Sequence, residues 1–337
     1  MKLLTQWSWR GLLALVLAFS VAGLAPAQQA DKKDDKIKVS SGEAELGNKI
    51  QKEPALEKKF EIAKKLVEKY PKSSLRPKFA EYLLGVISDL KDPEQRITAL
   101  ENMYLATFTD AEEQSKALPV FVDAYQAAKK WDDAFSYAPK AIEVNPGNVV
   151  LLTQLAIGGA DLSRAGKKDY VEQSKDYATK AIGLIEADKK PANIEDAAWQ
   201  DFKKQWLPAL YQSRGLLILS TGGVTEAKSN LQKAISLSPS DPYNYFLYST
   251  IINDDYQKQA KLYNLMPAGA EKEARLKTIQ GLLDEVIDLY AHTAALAAPQ
   301  PAFKTLHDQV LQDLQSYYKF RKGSLDGLQA LIDKYKK

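Results

Sequence analysis

From about residue 55 onward, apolar residues recur every three or four positions along the chain. This spacing places apolar side chains on one face of an α-helix, whereas a half-buried strand would show them at every second position. No alternating segment enriched in β-branched residues occurs, so the pattern predicts an all-α fold. The first two apolar stripes consist of Leu56, Phe60, Ala63, Leu66, Val67 and Tyr70, followed by Phe79, Leu83, Val86, Ile87 and Leu90.

Polar residues and prolines between the stripes mark where helices begin and end. Asp92-Pro93 places a capping side chain before a proline at the first helical position, and Gln95 has the spacing of a capping box. Asp241-Pro242 repeats the cap and proline, and Asp110 with Glu113 has capping-box spacing. These signals predict roughly 13 to 14 helices joined by short loops. Three helices are each followed by a proline that prevents continuation, at Pro71, Pro146 and Pro239.

Two segments, residues 115–148 and 208–241, fit one frame when the second is shifted by 93 positions. Both carry small residues where two helices would cross closely and a proline where the unit closes. Val122, Ala138 and Arg214 depart from the frame. The positions that define it are Tyr125, Ala134, Ala141 and Pro146 in the first segment and Gly215, Gly222, Ala227, Ala234 and Pro239 in the second.

Together these positions resemble the tetratricopeptide repeat family. The resemblance implies a right-handed α-solenoid of antiparallel helix pairs, because one pair buries only one face and neighbouring pairs must stack to bury the rest. A degenerate third pair at 149–186 and an extra helix at 187–207 extend the array, so the repeats are expected to cover 55–241. Residues 242–337 keep the helical period without the frame and are predicted to form a C-terminal helical extension.

The first 54 residues differ from the rest. Residues 1–27 combine Lys2 and Arg10 with an apolar run and the small residues of Ala25-Pro26-Ala27, which predicts a signal peptide cleaved before Gln28. The alternative is an uncleaved anchor, but the run is shorter than a membrane-spanning helix. Residues 28–54 are polar and predicted to be a flexible leader. The expected product is exported, periplasmic or secreted, soluble, and not inserted in the membrane.

Composition narrows the chemistry. The chain has no cysteine, which removes disulfides, thiolate sites and the attachment point of a lipoprotein. Its net charge of +3 is not concentrated in a basic block of the kind that nucleic acids require. His292 and His307 lack an evident third ligand, and Gly158-Gly159 and Gly222-Gly223 lack the rest of a phosphate-binding motif. Catalysis, metal binding and cofactors are therefore not predicted.

The resemblance places a binding groove on the first helix of each pair. Groove residues are expected on three successive pairs: Lys116, Asp123 and Gln126, then Thr153 and Asp161, then Gln212 and Ser220. The family's carboxylate-clamp mode needs Lys and Asn at groove positions where this chain has Pro119 and Asp123, which argues against that mode.

The leading interpretation is an exported, non-catalytic scaffold or adaptor that binds other proteins or peptides of the bacterial cell envelope. One alternative is a small-molecule or glycan receptor with an aromatic-lined pocket in 187–265, and another is an enzyme with a site in the C-terminal part. The aromatic residues that such a pocket would use are interpreted first as core: Trp131, Trp199, Trp206, Tyr243, Tyr245, Phe246 and Tyr248.

Overall fold

Every regular element in the described part of the chain is helical. The computed structural model describes residues 39–192 and 194–336. A π-helical segment, Leu100–Tyr104, joins the helices Pro93–Ala99 and Leu105–Thr107 into one continuous helix. The described residues therefore form fourteen continuous helices, and the all-α prediction is confirmed. The helices are α1 (Ser41–Lys52), α2 (Leu56–Lys69), α3 (Arg76–Ser88), α4 (Pro93–Ala99), α5 (Leu105–Thr107), α6 (Ala111–Ala127), α7 (Trp131–Val144), α8 (Val149–Arg164), α9 (Val171–Glu186), α10 (Asp196–Ser220), α11 (Val224–Leu237), α12 (Pro242–Leu265), α13 (Ala270–Ala297), α14 (Lys304–Lys322) and α15 (Leu328–Asp333).

The chain divides into two compact units. Of the described residues, the N-terminal unit holds 39–158 with 183–192 and 194–199, and the C-terminal unit holds 159–182 with 200–336. The segment 115–148 thus belongs to the N-terminal unit. The segment 208–241 belongs to the C-terminal unit, together with the predicted C-terminal extension.

Helix α1 corrects the prediction of a flexible leader over 28–54. Ser40 caps this helix in a full capping box: its amide donates to Glu43 Oε2 at 2.7 Å, and its hydroxyl accepts from the Glu43 amide at 3.3 Å. Ile50 is fully buried, and Lys59 Nζ donates to its carbonyl at 2.7 Å. Capping and one buried aliphatic side chain thus order a segment that looks too polar to fold by itself. The predicted signal peptide and residues 28–38 lie outside the described residues.

Three aspartates cap helices as the sequence predicts, but the capping boxes predicted at Asp92 and Asp110 do not form. Asp92, Asp110 and Asp241 each accept a hydrogen bond from the amide two residues later, at 2.9 to 3.0 Å. Glu113, the expected partner of Asp110, instead forms a buried two-point ion pair with Arg76 of α3 at 2.8 Å. A tertiary partner replaces the local one because a bidentate guanidinium contact is stronger than a single amide contact.

The two segments of the repeat frame turn between their helices in the same way. Lys129, between α6 and α7, has a left-handed φ of 60°, and Gly222, which is 93 positions later and between α10 and α11, has φ of 89°. In both segments the next amide bonds back to a carbonyl five residues earlier, as in a Schellman motif. These bonds run from Lys130 N to Tyr125 O at 2.8 Å and from Gly223 N to Ile218 O at 3.1 Å.

Small residues lie where the paired helices meet. A Cβ added to Gly215 of α10 would lie 3.1 Å from Leu231 Cγ of α11, so the two helices approach closely at that point. A Cβ added to Gly158 of α8 would lie 2.7 Å from Cζ3 of Trp131, so the indole ring occupies the space that a larger residue would need. The four alanines of the frame are fully buried, namely Ala134, Ala141, Ala227 and Ala234.

The C-terminal extension has its own core within the C-terminal unit. The long helices α12 and α13 pack as a hairpin, and α14 and α15 pack against α13. Trp199, by contrast, lies at the start of α10 in the N-terminal unit and is only 1% exposed. The buried cluster of the extension includes Ile252, Leu283, Val286, Ile287, Tyr290, Ala291, Leu306, Val310, Leu314, Leu328 and Ile332.

Candidate functional site

Two of the predicted groove residues, Asp161 and Gln212, lie around one tyrosine of the C-terminal unit. Tyr243 is the second residue of α12, and the guanidinium carbon of Arg164 lies 5.2 Å from the centre of its ring. Arg164 Nη1 is 3.3 Å from Asp161 Oδ1, one helical turn earlier in α8. Cation, carboxylate and aromatic ring therefore form one half-buried group contributed by two helices.

Gln212 of α10 bonds to two residues that flank Tyr243 at the start of α12. Its Nε2 donates to Asn244 Oδ1 at 2.7 Å, and its side chain also hydrogen-bonds the Asp241 carboxylate. Asp241 in turn accepts from the Tyr243 amide at 2.9 Å as the helix cap. We refer to these six residues as the Tyr243 cluster: Asp161, Arg164, Gln212, Asp241, Tyr243 and Asn244.

Burial controls the electrostatics of the Tyr243 cluster. It raises the pKa of Asp161, and the Arg164 guanidinium opposes that rise. Burial likewise raises the pKa of Asp241, against the hydrogen bonds from the Tyr243 amide and Gln212. The pKa of the Tyr243 hydroxyl is also raised by burial. The cluster thus holds two partly desolvated carboxylates and one guanidinium, which is paired with Asp161. This excess of acceptors suits cationic side chains and N–H donors of a ligand.

Three further groove residues of the sequence analysis lie on α6 in the N-terminal unit. Asp123 Oδ2 is 2.5 Å from Arg96 Nη1 of α4, and Lys116 Nζ is 3.6 Å from Glu112 within its own helix. The side-chain amide nitrogen of Gln126 is buried and has no hydrogen-bond partner among the described residues. The Asp123 carboxylate already neutralises a cation of the same unit, so a ligand cation would have to compete with Arg96.

Thr153 and Ser220 hydrogen-bond to carbonyls of their own helices. Thr153 is only 3% exposed and donates to the Val149 carbonyl at 2.7 Å, so its prediction as a groove residue is wrong. The Ser220 hydroxyl donates to the Leu217 carbonyl at 2.7 Å near the end of α10. Short hydroxyl side chains often bond the preceding turn in this way, and a pattern of polar positions does not reveal it.

Arg164 and Tyr243 are two residues of the cluster that the repeat frame does not predict. Arg164 follows Asp161 by three positions, a spacing that makes them neighbours on a helix, so this contact could have been found. Tyr243 was interpreted as core, and its position directly after the Asp241-Pro242 cap was the available signal.

The two histidines lie in different surroundings on α13 and α14. The His292 ring is stacked between Tyr245 and Tyr335, with centroid distances of 3.8 and 4.2 Å. His307 Nδ1 lies 3.1 Å from Asp308 Oδ1. Within the described ranges, no group of three or more His, Asp or Glu side chains is arranged to hold a metal ion.

Comparisons with known proteins give structural likenesses but no match in sequence. No protein-family model matches the sequence, and no curated protein matches it. Among solved structures, the crystal structure of PilW, a widely conserved type IV pilus biogenesis factor, is similar with a TM-score of 0.35 and 13% sequence identity. The likeness covers 76% of this chain and 98% of that one. None of the helices in the described ranges combines the length and apolar character needed to cross a membrane.

Proposed function

We propose that this protein is an exported, non-catalytic scaffold with tetratricopeptide-like helix pairs, and that it binds an extended segment of a partner protein at the Tyr243 cluster. The observation that carries the proposal is that Asp161, through Arg164, and Gln212 both reach the start of α12 around Tyr243. Asp161 and Gln212 are 51 positions apart, on α8 and α10. Each of these helices corresponds to the first helix of a pair, which lines the groove in tetratricopeptide repeats. A chain lying across successive helix pairs would contact both.

The chemistry of the cluster indicates what kind of segment it would bind. Its two aspartates outnumber its one arginine, and both carboxylates are partly desolvated, so a lysine, an arginine or backbone amides of the partner would gain from contact there. The Arg164–Tyr243 stack offers a flat surface beside the carboxylates. A basic extended peptide fits these features better than an acidic one.

The receptor alternative gains no support from Trp199 and Tyr245, two of the aromatic residues of 187–265. Trp199 is buried and its Nε1 donates to Asp188 Oδ1 at 2.8 Å, while Tyr245 packs on His292. Both therefore serve as packed structural residues. The scaffold remains the function that the geometry supports best.

The experiment is photo-cross-linking in native envelope extract, followed by affinity measurement on the captured partner. A photoreactive residue in place of Gln212 is expected to capture a defined partner segment, which mass spectrometry identifies. Asp161→Lys is then expected to weaken binding of that segment about tenfold or more, because it replaces one of the two negative charges of the cluster with a positive charge. The matched control is Asp201→Lys, which changes an exposed aspartate of α10 in the same C-terminal unit, outside the Tyr243 cluster, and is expected to leave the affinity unchanged. Wild-type affinity in Asp161→Lys would show that this surface is not the binding site.

A further inference from the structure

The hairpin of α12 and α13 extends beyond its buried core. The last buried residue of α12 is Tyr256 and the first of α13 is Ile279, and none of residues 257–278 between them is buried. From Tyr256 to the end of α12 at Leu265 the helix rises about 14 Å at 1.5 Å per residue. Residues 257–278, which we call the hairpin tip, therefore project as a slender two-helix extension.

The hairpin tip exposes large apolar side chains. Leu265 is 83% exposed, Leu262 is 49% exposed and Leu276 is 36% exposed. Isolated exposed leucines are common on protein surfaces and need no explanation. Three at one projecting end, beside the apolar turn residues Met266 and Pro267, form a group that water solvates poorly.

Positive charge is concentrated in the same segment. The tip contains five lysines and arginines but only two glutamates, an excess of three positive charges that equals the net charge of the whole 337-residue sequence. Lys258 pairs with Asp254 at 2.6 Å, whereas Lys261 and Lys277 have no carboxylate partner within the described part of the chain. Lys261, Leu262 and Leu265 lie within one turn of α12, so basic and apolar side chains share one surface.

We propose that the hairpin tip binds the surface of a membrane containing anionic phospholipids. Leucines of the tip would enter the boundary between headgroups and acyl chains, and the lysines would contact lipid phosphates, with their aliphatic stems along the apolar boundary. A lipid surface fits this tip better than a protein groove does, because a stable protein interface buries about 800 Å² on each partner and a narrow tip offers little area. The contact is peripheral and separate from the Tyr243 cluster.

Vesicle co-sedimentation of the mature chain tests the proposal. Binding is expected to vesicles of phosphatidylglycerol mixed with phosphatidylcholine, to weaken as salt is raised, and to be much lower with phosphatidylcholine alone. The double variant Leu262→Ser with Leu265→Ser is expected to abolish sedimentation. Lys261→Glu with Lys277→Glu is expected to reduce binding about tenfold or more. Phe320→Ser is the matched control, since Phe320 is 75% exposed on α14 outside the tip.

Because the chain contains no cysteine, a single label can report on depth. Leu265→Cys and Phe320→Cys, each carrying a polarity-sensitive dye, are compared on the same vesicles. A fluorescence increase at position 265 alone supports insertion of the tip. Equal increases at both positions indicate general adsorption and overturn the proposal, as does an absence of vesicle binding in a wild-type chain with normal helical content. Retained binding in the double leucine variant also overturns it.

Discussion

The segments 115–148 and 208–241 share a backbone frame but fill one of its positions with opposite chemistry. In the first segment Phe121 is buried and its ring stacks on Tyr125 and Tyr137, with centroids 5.9 and 5.0 Å apart. The equivalent of Phe121 in the second segment, 93 positions later, is Arg214. Arg214 Nη2 lies 2.8 Å from Glu226 Oε1, so an ion pair takes the place of an aromatic stack.

A second position of the frame shows the same contrast between aromatic and polar residues. Tyr137 corresponds to Asn230, which is buried, and Asn230 Oδ1 has no hydrogen-bond partner among the described residues. Nε of Arg214 is also buried without a partner in those residues. Buried polar atoms that lack a partner cost stability, whereas stacked rings contribute it. The two segments therefore share their turns and helix crossings but not the energy of their packing.

The positions that the two segments share are the ones that allow two helices to form a pair. The small residues at the crossings and the left-handed turn residues are common to both segments, because they decide whether two helices can approach and reverse. The position of Phe121 and Arg214 accepts either residue, because it lies beside the crossing. A change there alters the packing energy and leaves the turn and the crossing residues in place.

The largest expected effect comes from emptying the aromatic stack. Phe121→Ala is expected to lower the free energy of unfolding by about 3–5 kcal/mol, because it removes a buried ring and leaves a cavity. Urea unfolding followed by circular dichroism measures this change. Phe320→Ala, at an exposed phenylalanine, is the control and is expected to change the value by less than about 0.5 kcal/mol. Equal effects at the two positions would contradict the packing described for Phe121.

A smaller effect of opposite sign is expected in the second segment. Arg214→Leu is expected to raise the free energy of unfolding by about 1–2 kcal/mol, because it replaces a buried unpaired N–H with apolar contact. Glu226 is half-exposed and stays solvated without its partner. Glu226→Gln tests the ion pair alone and is expected to change the same unfolding measurement by less than about 0.5 kcal/mol. Destabilisation by Arg214→Leu would show that the arginine is needed for packing.

The smallest effects are expected at the turns. Lys129→Gly is expected to stabilise by about 0.5–1 kcal/mol, and Gly222→Ala to destabilise by a similar amount, because both residues have left-handed φ. A Cβ on Gly222 would meet no atom within 4 Å, so its cost is purely conformational. Gly183→Ala, inside α9 and also free of contacts, is expected to stabilise, so one substitution should have opposite signs at two glycines. Thermal unfolding compares these variants, and the same sign at Gly183 and Gly222 would contradict the explanation.

Much of the fold could be predicted because its signals are local. The apolar period, the aspartate caps and each segment of the repeat frame lie within short stretches of chain, and each depends on contacts within one helix or one helix pair. The candidate site was predictable in part: the repeat frame names Asp161 and Gln212 but also names Thr153, which is buried. The degenerate third pair, residues 149–186, matches the frame at too few positions to predict which side chains of its helices are buried.

The amino-acid sequence alone predicts most of the helices, the turn at Gly222 and the small residues at which paired helices cross, because helical periodicity and backbone conformation are properties of neighbouring residues. Three features depend on the folded structure: the helix over residues 41–52, the pairing of Glu113 with Arg76 across 37 positions, and the contact of Arg164 with the Tyr243 ring. Periodicity indicates which face of a helix is buried but not what that face packs against. Side chains far apart in the sequence acquire their partners only when the helices are in place.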